Sequence, residues 1–61
     1  MAAKFEIYKD SKGEYRFRLK ATNGEIIATG EGYESKQGCK AGIDSVKNNA
    51  PQAEIIDLTN S

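Results

Sequence analysis

The chain of 61 residues has no histidine and no tryptophan, and only one cysteine and one proline. Without histidine no side chain titrates near neutral pH unless its pKa is strongly displaced, so acid–base catalysis has no ready proton carrier. Cys39 stands alone, which excludes an intrachain disulfide, and no histidine accompanies it to build an ordinary zinc site. No window approaches the ~20 apolar residues of a membrane span, and Met1-Ala2-Ala3-Lys4 opens no secretory h-region. The expectation is a small soluble protein with no membrane partner, and a lone cysteine points to the reducing cytoplasm.

Net charge is also absent: nine basic and nine acidic residues cancel, which removes the broad attraction of a strongly basic nucleic-acid binder. The charges are unevenly placed. Residues 4–20 carry six Lys or Arg against three acids, whereas residues 21–34 carry Glu25, Glu31 and Glu34 and no basic residue. A chain this short buries only about 60 % of the surface its unfolded form exposes. With disulfides and metals excluded, association with another copy is the remaining source of stability.

What is present is a clear β pattern. Residues 14–20 alternate strictly, with Tyr15, Phe17 and Leu19 on one face and Arg16, Arg18 and Lys20 on the other. A first strand is predicted over 4–9. Pairing Asp10 with Glu14 across a three-residue loop ending in a left-handed Gly13 sets Ile7 opposite Phe17 and Phe5 opposite Leu19. It also puts Glu6 beside Arg18 and Tyr8 beside Arg16. Asn23-Gly24 predicts a type I′ turn, with positive φ at both residues, into a third strand over 25–30. That two-residue turn leaves Ile27 on the basic face beside Lys20; one more loop residue would send it inward.

Ser35 is placed to cap a helix over 36–49, with Cys39, Ile43, Val46 and Ala50 as its apolar stripe. Gly38 and Gly42 weaken that helix and are expected to let its backbone approach the sheet. Tyr33 is read as anchoring the connector onto the helix end. Residues 53–58 are predicted to form a fourth strand, with Ile55 and Ile56 pointing to opposite faces. Both faces of that strand need cover, which a three-stranded, one-helix monomer is hard pressed to supply.

No catalytic constellation is present. Cys39 reads as a small buried hydrophobe, and the glycines at 24, 30 and 32 lack phosphate-loop spacing. Asp44, Glu54 and Asp57 are too scattered for a calcium loop. No catalytic, cofactor-binding or metal site is expected, and the chain is not read as an enzyme. The one candidate binding face is the outer side of the sheet: Tyr8, Arg16, Arg18, Lys20 and Ile27. Basic groups around an aromatic can hold phosphate and stack a base, so weak nucleic-acid binding is the alternative to a role in protein interaction. A solvated or partner-covered face explains the same residues.

Phe5-Glu6-Ile7-Tyr8-Lys9, Gly13, Tyr15-Arg16-Phe17-Arg18-Leu19-Lys20-Ala21, Asn23-Gly24-Glu25-Ile26-Ile27, Glu31-Gly32-Tyr33, Gly42-Ile43, Ser45-Val46-Lys47 and Asp57 together resemble the YegP-like family of small bacterial proteins of unknown function. The resemblance covers nearly the whole chain. It implies an α+β fold built on a β-β-β-α-β motif: an antiparallel sheet with one helix packed on it and a C-terminal strand exchanged in a homodimer. It brings no reaction, cofactor or substrate. Where the family often has serine, this chain has Gly30, so any shared role of that hydroxyl would be missing here.

Overall fold

The structure, a computed structural model, describes residues 2–59. Three strands, β1 (Lys4–Lys9), β2 (Tyr15–Lys20) and β3 (Ile26–Thr29), form an antiparallel sheet in the order β1-β2-β3. One helix, α1 (Lys36–Asn49), and a short 3-10 turn over Ala50–Gln52 follow. Between β1 and β2 the register is Phe5 with Leu19, Glu6 with Arg18, Ile7 with Phe17 and Tyr8 with Arg16. The loop that sets it is the three-residue one. Asp10 and Glu14 face each other (2.9 Å), the Gly13 amide donates to the Asp10 carbonyl (3.0 Å), and Gly13 has φ +82°. Asp10 Oδ1 accepts the amides of both Lys12 and Glu14, each at 2.9 Å, which fixes the turn from within.

The second turn corrects the type I′ expectation. Gly24 has φ +88°, but no non-glycine among the described residues has positive φ, so Asn23 does not take the left-handed conformation that turn demands. Ala21 pairs with Glu25 instead (2.8 Å), and the Gly24 amide donates to the Ala21 carbonyl (2.9 Å). Both hairpins thus turn through three residues ending in a left-handed glycine. The extra residue is taken back inside β3. Lys20 faces Ile26 and Leu19 faces Ala28, so Ile27 is the unpaired residue of a bulge. Beside Lys20 stands Ile26, not Ile27, and Ile27 is not drawn into the core either: it is 60 % exposed.

Beyond β3 the Gly30 amide donates to the Phe17 carbonyl (2.9 Å), and Tyr15 and Tyr33 exchange two backbone bonds of 2.8 Å. Ser35 caps α1, its Oγ accepting the Gly38 amide at 3.0 Å. The helix packs on β1 and β2 and leaves β3 bare. Among the described residues only Phe17 of the sheet and Cys39 of the helix are buried; Phe5, Ile7, Leu19, Ile43 and Val46 are half-buried. The Phe17 ring meets Phe5 edge-on at 6.0 Å and stacks with Tyr33 at 6.3 Å. At Gly30 a Cβ would collide with the Phe17 ring, so the missing side chain there makes room for the centre of the core.

Two further corrections concern the helix glycines and the end of the chain. The glycines admit the Tyr33 ring, not the sheet: a Cβ at Gly38 would lie 3.7 Å from its Cδ2, and one at Gly42 would lie 2.7 Å from its Cζ. Residues 53–59 form no strand in this single chain. An extended segment becomes a strand only when a neighbouring edge takes its amides and carbonyls, and none lies alongside.

A charged sheet face as candidate functional site

Alternation along β1 and β2 turns Lys4, Glu6 and Tyr8 outward beside Lys20, Arg18 and Arg16, on the side away from α1. Ile26 and Thr29 of β3 stand across from Lys20 and Arg18 on the same face. Four of the five residues singled out from the sequence, Tyr8, Arg16, Arg18 and Lys20, therefore meet on one surface; the fifth, Ile27, sits in the bulge at its border.

The cations on this face are already engaged. Arg18 Nε donates to Glu6 Oε1 at 2.8 Å, Lys20 Nζ lies 3.4 Å from the same oxygen, and Lys4 Nζ lies 3.5 Å from Oε2. Glu6 is thus one carboxylate held by three cations. The Arg18 guanidinium also covers the Tyr8 ring, 4.9 Å from its centroid. Arg16 turns the other way, its Nε donating to Asp10 Oδ2 at 2.6 Å. These contacts hold Glu6 below the usual carboxylate range, chiefly through the Arg18 hydrogen bond, and lower Asp10 chiefly through Arg16. Asp10 reciprocally raises Arg16.

Asp10 and Lys4 were not legible as part of this face. Asp10 reads as a turn residue, yet it sits diagonally across from Arg16, two positions beyond its direct partner Tyr8. The diagonal neighbour is the signal that could have found it.

As chemistry, the face presents fixed ion pairs with a surplus of positive charge around Glu6, and no nucleophile. Cys39, on α1 itself, is fully buried, and burial pushes its thiol up, away from the reactive thiolate. Among the described residues no three metal-ligating side chains gather, and no helix is long and apolar enough to cross a membrane. The groove beside the second turn, lined by Lys4, Ala21, Thr22, Asn23 and Gly24 with Ala2, offers one charged group, and that is Lys4, already spoken for by Glu6.

Residues 10–57 match a family described as a domain of unknown function, DUF1508. A UPF0339 protein of Treponema denticola is 62 % identical over 58 residues, covering 95 % of this chain and 100 % of that one. A solution structure of a Haloferax volcanii protein superimposes with a TM-score of 0.87 at 52 % identity, covering 93 % of this chain and 97 % of the other. The protein ATU0232 of Agrobacterium tumefaciens, also solved in solution, gives 0.76 at 50 % identity, with 92 % and 90 % covered. At that identity over nearly every residue, the expected kinship with the YegP-like proteins holds, and the chain belongs to the DUF1508 (UPF0339) family, whose function is unknown.

Proposed function

We propose that the chain is a non-catalytic binding module of the cytoplasm that works as a homodimer, each copy lending its C-terminal segment to the sheet of the other. The observation that carries this reading is where the apolar surface lies. Among the described residues only Phe17 and Cys39 are buried, while Ile26, Ile27, Ile55, Ile56 and Leu58 are 53 %, 60 %, 98 %, 66 % and 87 % exposed. Three of those five belong to a segment of extended, unpaired backbone, and burying each such side chain is worth about 1.5–3 kcal/mol. A second copy supplies the missing edge and the missing cover in one step. The free, buried thiol of Cys39 fits a reducing compartment.

Nucleic-acid binding through the outer face is the weaker reading, because Arg16 and Arg18 each already hold a carboxylate and phosphate would have to displace it. Light scattering on the full chain should give twice the chain mass, and a chain cut after Pro51 should be unfolded or aggregated. A folded, monomeric truncation product would refute the exchange.

A further inference from the structure

We infer that Asn23 is a covalent modification site that the folded hairpin keeps closed: where the second turn opens, the Gly24 nitrogen attacks the Asn23 side chain and converts it to aspartate and isoaspartate. Residues 22–25 are exposed, and among the described residues nothing lies within 4 Å of where a Cβ at Gly24 would stand. Asn23 is followed by the one residue type whose missing side chain leaves its backbone nitrogen unhindered. The other asparagines, Asn48, Asn49 and Asn60, are followed by Asn49, Ala50 and Ser61.

The reaction needs only solvent water. The Gly24 nitrogen bonds to Cγ of Asn23, its proton passes through solvent to the departing nitrogen, and the bond from Cγ to Nδ2 breaks, releasing ammonia and closing a cyclic imide. Water then opens the imide. Addition at Cγ restores the original backbone with an aspartate side chain; addition at the Asn23 carbonyl leaves the chain running through Cγ, as isoaspartate.

Two hydrogen bonds arm one half of this reaction and disarm the other. Asn23 Oδ1 accepts the Glu25 amide at 3.1 Å, which holds the carboxamide over the turn and stabilises the negative charge that attack on Cγ puts on that oxygen. The Gly24 amide donates to the Ala21 carbonyl at 2.9 Å. The electron pair left when that proton departs lies in the peptide plane along the former N–H direction, so in the closed turn it points at Ala21 and not at Cγ. Turning the peptide to bring the pair onto Cγ gives up the bond that closes the loop.

The two products differ in what they do to the fold. Aspartate keeps the backbone and an oxygen for the Glu25 amide. Isoaspartate adds a backbone carbon to a loop whose length sets Lys20 against Ile26 and the bulge at Ile27. Either one puts a new carboxylate into the groove shared with Lys4. A chain that has opened here is marked permanently, and only one of the two marks disturbs the sheet.

The test holds the full chain at mildly alkaline pH, folded in buffer and unfolded in guanidinium chloride, and maps the tryptic piece 21–36, which has no other asparagine or glutamine. Fragmentation that tells aspartate from isoaspartate should find both at position 23. The unfolded chain should form them roughly tenfold or more faster, because the folded one reacts only through its open population. Equal or faster conversion in the folded chain would overturn the closed-turn assignment, and conversion at Asn48 or Asn49 ahead of Asn23 in the unfolded chain would overturn the site. Gly24→Ala in guanidinium chloride, where folding plays no part, should lose most of the conversion; an unchanged rate would remove the Gly24 nitrogen as the attacking group. The isoaspartate form, separated by chromatography, should unfold at a lower denaturant midpoint than the original chain, whereas Asn23→Asp should not. Coincident midpoints for the isoaspartate form and the original chain would sink the lengthened loop as a cause of damage.

Discussion

The hydroxyl of Tyr33 lies where a side chain at Gly42 would begin. The connector after β3 is bonded to Tyr15 by its backbone, and its ring stacks on Phe17 and runs along α1 past Gly38 to Gly42. One tyrosine therefore joins sheet, core and helix, and the two glycines one turn apart are what let it lie flat.

Gly42→Ala tests that contact directly. In an open helix the change would stabilise by about 1 kcal/mol. Here the added methyl must displace the ring, so a net loss of about 1–3 kcal/mol is expected from urea unfolding. Tyr33→Phe in the same chain should return part of it, because the hydroxyl is the first atom struck. A gain in stability from Gly42→Ala alone would mean the ring is not seated there.

Phe17→Ala should be the most damaging single truncation. The ring is 5 % exposed and touches both Phe5 and Tyr33, and removing such a ring costs about 3–5 kcal/mol. In a domain this small that leaves little or no folded population, visible as loss of far-ultraviolet ellipticity at room temperature.

The register of β1 on β2 was legible because parity leaves one pairing that puts Phe5, Ile7, Phe17 and Leu19 together, and Gly13 marks the loop that enforces it. The second hairpin was not, since Asn-Gly, the favoured pair of a type I′ turn, also fits the end of a three-residue loop. Asn23 Oδ1 accepts the Glu25 amide at 3.1 Å, which stabilises the three-residue form without any left-handed asparagine. A bulge leaves no trace in an isoleucine pair, so Ile26 and Ile27 exchanged places. At the outer face the individual cations were legible and their gathering around Glu6 was not, because that depends on diagonal reach. Residues 53–58 have the alternation of a strand but find no edge to pair with in the single chain.

Those turn geometries separate two neighbouring substitutions. Gly24→Val should destabilise by about 1 kcal/mol or more, although nothing lies within 4 Å of the new Cβ, because the strain is in the backbone at φ +88°. Asn23→Ala should cost only the exposed bond to Glu25, about 0.5–1.5 kcal/mol. Chemical denaturation of the two variants side by side checks the order.

Stability should fall away at both ends of the pH scale. Glu6 and Asp10 are lowered in the folded chain, so their contribution is present above the ordinary carboxylate range, about pH 4, and is lost as pH falls through their depressed values. Cys39 is raised, so its contribution is full below about pH 8.5 and is lost as pH rises towards its elevated value. Thermal unfolding across pH should show the acid limb weakened in Asp10→Asn and the alkaline limb flattened in Cys39→Ala.

A sheet and helix that enclose only Phe17 and Cys39 leave the fold's persistence in the hands of whatever binds it. Any species that holds the folded form alone adds about 2.7 kcal/mol once it is present at a hundred times its dissociation constant. For so small a protein that increment rivals the stability a single core provides. Were that species the second copy proposed above, copy number would act as a thermodynamic variable, and diluting the chain and unfolding it would become the same experiment.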